Sequence, residues 1–278
     1  MSEVPDGVGA GPGPRQGSPI GAATPAPDPE RGKSGRAKTV VLPPPAPATA
    51  DAGGANSRNS YRTLTDGERS ALWRQRLHEA EAGLTNLLAS LDDEIHLTDW
   101  FTLQAELFAD LPDAATAPAS EWQRVFFRGQ ALMERFLVLR HGEEILAEWA
   151  LANAEVHRQV EPDRGRGAAD PLHRVARQAE LYGSDYEFDD SLPDARSRAA
   201  LTITHCAIWD YREKARRGGV RLTLASPCTY CTGALSANIR AKGYEPAHQL
   251  RTGPTGHGCR WESAAATAAA TEEKKEES

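Results

Sequence analysis

The run Ala200-Leu-Thr-Ile-Thr-His-Cys-Ala-Ile208 decides the fold. Its apolar and polar side chains alternate, which is the period of a strand with one covered face. A sheet therefore belongs to the second half of the chain. Beyond this run, Asp210 to Arg217 reads as a short polar helix ending at Gly218-Gly219, and Val220-Arg-Leu-Thr-Leu224 as a further strand. Ser226-Pro-Cys-Thr-Tyr-Cys231 opens a helix towards Lys242, with Gly243 as its stop. His248-Gln-Leu-Arg251 and Cys259-Arg-Trp261 read as two last strands. The Gly-rich link between them, Gly253 to Gly258, lacks the lysine of a phosphate-binding loop and reads as a hairpin turn.

On the N-terminal side of that run the period is helical. Thr65-Asp-Gly-Glu68 has capping-box spacing, and Leu72, Leu77, Ala80, Leu84, Leu87, Leu88 and Leu91 follow on one stripe. A second helix is expected from Ser120, with Gln123 as its box partner and a break or bend at Gly142 before Ile145, Leu146 and Trp149. A third starts at Asp170-Pro171 and stops at Gly183. Residues 111–118 and 161–169 read as loops. The expected fold class is α+β: N-terminal helices packed with a mostly antiparallel C-terminal sheet, preceded by a disordered tail.

The tail is expected over residues 1–58, where Pro, Gly and Ala dominate and few large apolar side chains are available to offset conformational entropy. Residues 59–263 then form one α+β domain, with a helical part over 59–183 and a cysteine-containing part over 184–263. Residues 264–278, Ala/Thr followed by Glu and Lys, are expected to be a second disordered tail. The 278-residue chain carries a net charge of -7 at pH 7, which argues against nucleic acid as a partner. The local basic stretch Arg31 to Lys38 reads as a solubilising linker. No apolar run reaches the roughly 18 residues of a membrane span, and the N-terminus has no apolar signal region, so a cytoplasmic protein without a membrane partner is expected.

The chemistry concentrates in the four cysteines Cys206, Cys228, Cys231 and Cys259, which all lie in the last third of the chain. In a reducing compartment such clustering points to metal binding or thiol chemistry rather than disulfides. The CxxC of Cys228 and Cys231 lets two thiolates reach one metal from a single helical turn. Cys206 and Cys259 could complete a four-thiolate site for zinc or an iron–sulfur cluster. Cys228 also follows Ser-Pro at a helix N-terminus, where amide dipoles favour a thiolate nucleophile. His257, in the turn before Cys259, suits proton transfer.

Three stretches, His205-Cys206-Ala-Ile-Trp-Asp210-Tyr, Pro227-Cys228-Thr-Tyr-Cys231 and Gly256-His257-Gly258-Cys259-Arg260-Trp261, resemble the C-terminal part of the L-2-amino-thiazoline-4-carboxylic acid hydrolase family. More distantly they resemble small-ligand-binding domains of the 4-vinyl reductase type. The resemblance implies hydrolytic opening of a small cyclic amidine in amino-acid or specialised metabolism. Two arrangements suit that chemistry. In one, Cys228 is the nucleophile, His257 shuttles the proton, and Asp210 or Glu213 orients the cationic amidine. In the other, the four cysteines hold a metal, and the chain is a noncatalytic binding module or relies on its histidines and acids. Arg260 and Arg251 are the candidates for a substrate carboxylate, with Tyr230 and Trp209 as further substrate contacts. A small molecule is the expected partner, and assembly into a homo-oligomer is left open.

Overall fold

A computed structural model of the protein describes residues 64–91, 94–189, 192, 196–253 and 256–266. The tail expected over residues 1–58 and most of the one over 264–278 lie outside the described residues. The helical half holds α1 (Asp66–Ser90), α2 (Glu94–Phe108), α3 (Ala119–His141), α4 (Ile145–Val160) and α5 (Ala169–Tyr182). The other half holds β1 (Asp185–Phe188), β2 (Arg198–His205), α6 (Ala207–Arg217), α7 (Cys228–Ala241), β3 (Tyr244–Gly253) and β4 (Gly256–Ala265). The α+β class is as expected.

The Thr65 box forms in full: Thr65 Oγ1 accepts from the Glu68 amide at 3.3 Å, and the Glu68 carboxylate accepts from the Thr65 amide at 2.8 Å. The second box does not form. Pro118 caps α3 instead, and Ser120 and Gln123 lie inside the helix. Gly142, at φ 85°, separates α3 from α4 as two helices. Gly183, at φ 82°, ends α5 in the left-handed conformation that costs glycine least.

The four strands form one antiparallel sheet in the order β1-β2-β4-β3. Leu201 opposite Trp261 and Ile203 opposite Cys259 put these four side chains on one face, which α5 and α7 cover with Leu172, Val175, Leu235 and Ile239. The other face carries Thr202 opposite Arg260. Three expectations are corrected. Residues 220–224 form no strand, because Leu224 turns into the helical core. Cys206 is the N-cap of α6 and not a strand residue. Finally, β4 runs on to Ala265, past the expected boundary at 263.

The helical core is built around Trp73, Trp100, Trp122 and Trp149, each at most 2% exposed. Burial of one such ring contributes roughly 1.5–3 kcal/mol. Small residues then bring α7 onto α4, with Ala150 and Ala154 packed against Ala237. A buried charge cluster ties these layers together. The Glu79 carboxylate of α1 accepts from Arg76 at 2.6 Å, Arg174 of α5 at 3.0 Å and His157 of α4 at 3.2 Å. Arg174 also pairs with Glu161 at the end of α4, and His157 Nδ1 meets Asn238 Oδ1 of α7 at 2.7 Å.

Candidate functional site

The site is assembled where three chain reversals meet. Strand β2 ends at His205, and the chain turns at Cys206 into α6. The Cys206 amide donates to the His257 carbonyl at 2.8 Å, so the start of β4 lies against this turn. Helix α7 begins at Cys228, whose amide donates to Ser226 Oγ at 3.1 Å. Two helices thus start here, and each places a cysteine at or before its first residue. Cys231 follows one turn into α7. Cys206, Cys231 and Cys259 all pack against the core under the sheet, and each of the four thiols lies close enough that its charge would be felt by the other three.

This crowding sets the thiol chemistry. Burial, reinforced by the three neighbouring thiols, raises the Cys231 thiol far above the ordinary range. Burial pushes Cys259 up to about 11, even though Trp261 Nε1 donates to its sulfur at 3.2 Å. Cys206 is raised by burial as well, against the opposing pull of the Trp209 and Ile208 amides at the start of α6. All four cysteines are free thiols and half-buried. Among the described residues, no three His, Cys, Asp or Glu side chains are grouped so that they could hold a metal ion.

Beside the Cys206 turn an open groove is lined by Trp209, Asp210, Glu213, Lys214, Arg216, Arg217 and His257, and neither Cys228 nor any other cysteine is part of that lining. The His257 ring packs against Trp209, tilted by 31° with centroids 3.7 Å apart, and its Nδ1 lies 3.5 Å from Thr252 Oγ1. Of the six tryptophans, the other five are buried to 2% or less, so Trp209 is the one left half-exposed, and it faces this groove. Asp210 and His257 share the groove, but Asp210 is engaged by His205, whose Nε2 lies 2.6 Å from its carboxylate. Glu213 is held by Arg216 at 2.7 Å, and this pairing lowers its pKa.

The structure therefore brings Trp209, Asp210, Glu213 and His257 together and places Cys206 next to them. The other expected substrate contacts lie elsewhere. Arg260 is on the opposite face of β4 from Cys259, and Asp189 at 2.7 Å and Glu262 at 3.1 Å already occupy its guanidinium. Arg251 pairs with Gly258, so by alternation it shares that far face. Tyr230 turns into the helical core, packs against Trp149 with centroids 4.6 Å apart and hydrogen-bonds Asn153. The sequence did not mark His205 as the partner of Asp210, nor Lys214, Arg216 and Arg217 as cations of the groove. The five-residue spacing of His205 and Asp210 across a strand-to-helix turn was the available signal.

Protein-family models, curated proteins and solved structures give no match to this chain.

Proposed function

We propose that the chain is a thiol-dependent hydrolase that opens a small cyclic amidine in this groove. The observation that carries the reading is a groove holding an aromatic ring, a histidine and two carboxylates, next to the Cys206 turn, whose thiol lies within electrostatic reach of Cys228 at the start of α7. Resemblance of the same three stretches to the thiazoline carboxylate hydrolases supplies the substrate class. A planar, cationic amidine is suited to Trp209 by stacking and to the Asp210 carboxylate by charge, whereas Arg216 occupies both oxygens of Glu213. Cys228 Sγ adds to the amidine carbon. The ring bond to the leaving atom breaks as that atom takes a proton through His257, and water then releases the opened product and restores the thiol. The His205–Asp210 pair is a base held in orientation by a carboxylate, suited to activating that water. A substrate carboxylate would meet Lys214 and Arg217 at the rim, rather than Arg260 or Arg251.

The test uses the full chain, 2-amino-thiazoline-4-carboxylate as probe, and mass-spectrometric detection of the ring-opened product. Cys228→Ser is expected to abolish turnover with the fold retained. His257→Ala should lower it by about 10²–10⁴-fold, and Arg260→Ala should leave it unchanged. Wild-type turnover in Cys228→Ser would refute the nucleophile. One zinc or iron–sulfur centre per chain that is lost in Cys228→Ser would replace the hydrolase with the metal-binding module.

A further inference from the structure

The CxxC has a geometry that the hydrolytic reading does not use. Cys228 is the first residue of α7 and Cys231 lies one turn along the same helix. Three residues of α-helix separate two Cα atoms by about 5 Å, from the rise and radius of the helix. That falls inside the roughly 4.4–6.8 Å over which a disulfide closes without moving the backbone far. The turn itself is lightly held. Its bonds from the Thr229 amide to the Ser226 carbonyl and from the Cys231 amide to the Pro227 carbonyl measure 3.3 and 3.4 Å. The remaining adjustment therefore strains little. The two thiols are also unequally placed. Cys228 heads the helix beside the exposed Thr229, while Cys231 sits behind it against the core under the sheet. Neither Cys206 nor Cys259 shares a helix with Cys228. Cys206 is fixed by the hydrogen bond its amide donates to the His257 carbonyl at 2.8 Å, and Cys259 lies within β4 with its sulfur accepting from Trp261 Nε1.

From this arrangement we infer that Cys228 and Cys231 form a dithiol that exchanges with small aliphatic disulfides, a redox activity of the chain in its own right. Cys228 meets the incoming disulfide RSSR and forms a mixed disulfide, expelling the first RS⁻. Cys231 Sγ then attacks the Cys228 sulfur, closing the Cys228–Cys231 bond and expelling the second RS⁻. The two protein thiols give up two electrons and two protons, and these leave with the reagent as two RSH. The activity stands on the CxxC geometry alone and holds whether or not Cys228 also opens an amidine. Where it does, closure of the disulfide switches that reaction off.

The experiment takes the full chain, fully reduced and freed of reductant under anaerobic conditions, and titrates it with glutathione disulfide. Free thiols, counted with Ellman's reagent in denaturant after acid quenching, are expected to fall from the four of the reduced chain to two. Peptide mapping should locate the new bond between Cys228 and Cys231. Cys231→Ala should stop at the mixed disulfide, one glutathione on Cys228, and Cys228→Ser should take up no glutathione at Cys231. Circular dichroism of both variants shows whether each retains the fold. A Cys206→Ser, Cys259→Ser double variant provides a second arm, since it keeps the CxxC and should still close. A bond that forms instead through Cys206 or Cys259, four thiols that persist in a large excess of oxidant, or thiols that respond only after a chelator is added would each overturn the inference. Amidine turnover is not the readout, so failure here and failure of the hydrolase reading are distinguishable.

Discussion

Replacing Glu79 with Gln tests the charge cluster that ties the layers together. The Glu79 side chain has no solvent exposure and accepts from Gln75 at 2.7 Å as well as from Arg76, Arg174 and His157. An amide of the same size removes one negative charge and turns an NH₂ towards groups that are themselves donors. Arg76, 4% exposed, and Arg174, 6% exposed, are then left with Glu161 as their carboxylate. Breaking a buried pair in this way costs about 3–5 kcal/mol. For a domain of this size that corresponds to a fall in Tm of roughly 6–20 °C. Urea unfolding gives the difference directly, provided the slope m is unchanged. The control is Glu155→Gln, which removes an exposed carboxylate paired with Arg158 at 2.7 Å and should cost less than about 0.5 kcal/mol. The sign with pH follows from the carboxylates. Burial alone would raise Glu79, but Arg76, Arg174 and His157 outweigh it and hold the group well below the usual range. Glu161, also raised by burial, is brought by Arg174 and Arg76 to about 2. Groups lowered in this way stabilise the fold fully above the unfolded carboxylate value of about 4.3, and that stabilisation is lost as pH falls through the folded values. The wild-type advantage over Glu79→Gln should therefore be full at pH 7 and shrink below about pH 4. A cost under about 1 kcal/mol at pH 7 would refute the claim that the two buried arginines depend on this carboxylate.

Two further measurements examine the packing and the thiols. Gly83→Ala places a Cβ 2.7 Å from Asn153 Cγ and 3.0 Å from its Cα, where α1 crosses α4. Overpacking there should cost about 1–3 kcal/mol against a helix-propensity gain of about 1. Gly67→Ala meets nothing within 4 Å and should gain stability, so thermal melts of the two variants should move in opposite directions. Because Cys259 is pushed up to about 11, its thiolate fraction at pH 8 is about one in a thousand. Its alkylation by iodoacetamide, followed by peptide mass spectrometry, should therefore rise about tenfold per pH unit from 8 to 10. A rate that is flat over that interval would show that Cys259 is not the buried thiol described.

How much of this was legible in the sequence depended on whether the signal was local. The capping box at Thr65, the stop at Gly183 and the α7 start at Cys228 are decided within a few residues, and each stands where the sequence placed it. Helix α2 is hard to read in the sequence although Leu97, Trp100, Leu103 and Leu107 follow a helical stripe, because exposed Ile95 and Phe101 blur the period. Val220 to Leu224 alternates like a strand but finds no partner, since a strand needs a neighbour that the local pattern does not supply. The Glu79 cluster was illegible for the same reason. Glu79 and Arg174 are 95 residues apart, and charges at helical spacing read as a solvated face until the helices are stacked.

The site shows the same division at finer scale, and strand parity explains it. Alternation in β4 sends His257, Cys259 and Trp261 to one face and Gly258, Arg260 and Glu262 to the other. The first face is the covered one, so His257 and Cys259 were bound to stand with the thiols of α6 and α7. Arg260 was bound to stand away from them, whatever its attraction as a carboxylate ligand. A one-residue shift of register would reverse both assignments at once. What prevents that shift is Trp261, 0% exposed and packed opposite Leu201, because moving it to the open face would forfeit roughly 1.5–3 kcal/mol of burial. The ring that fills the core thus also fixes which side chains of β4 stand beside the cysteines. By the same argument, the cations available to an anionic substrate are those of α6, Lys214 and Arg217, which no strand register can turn away from the groove.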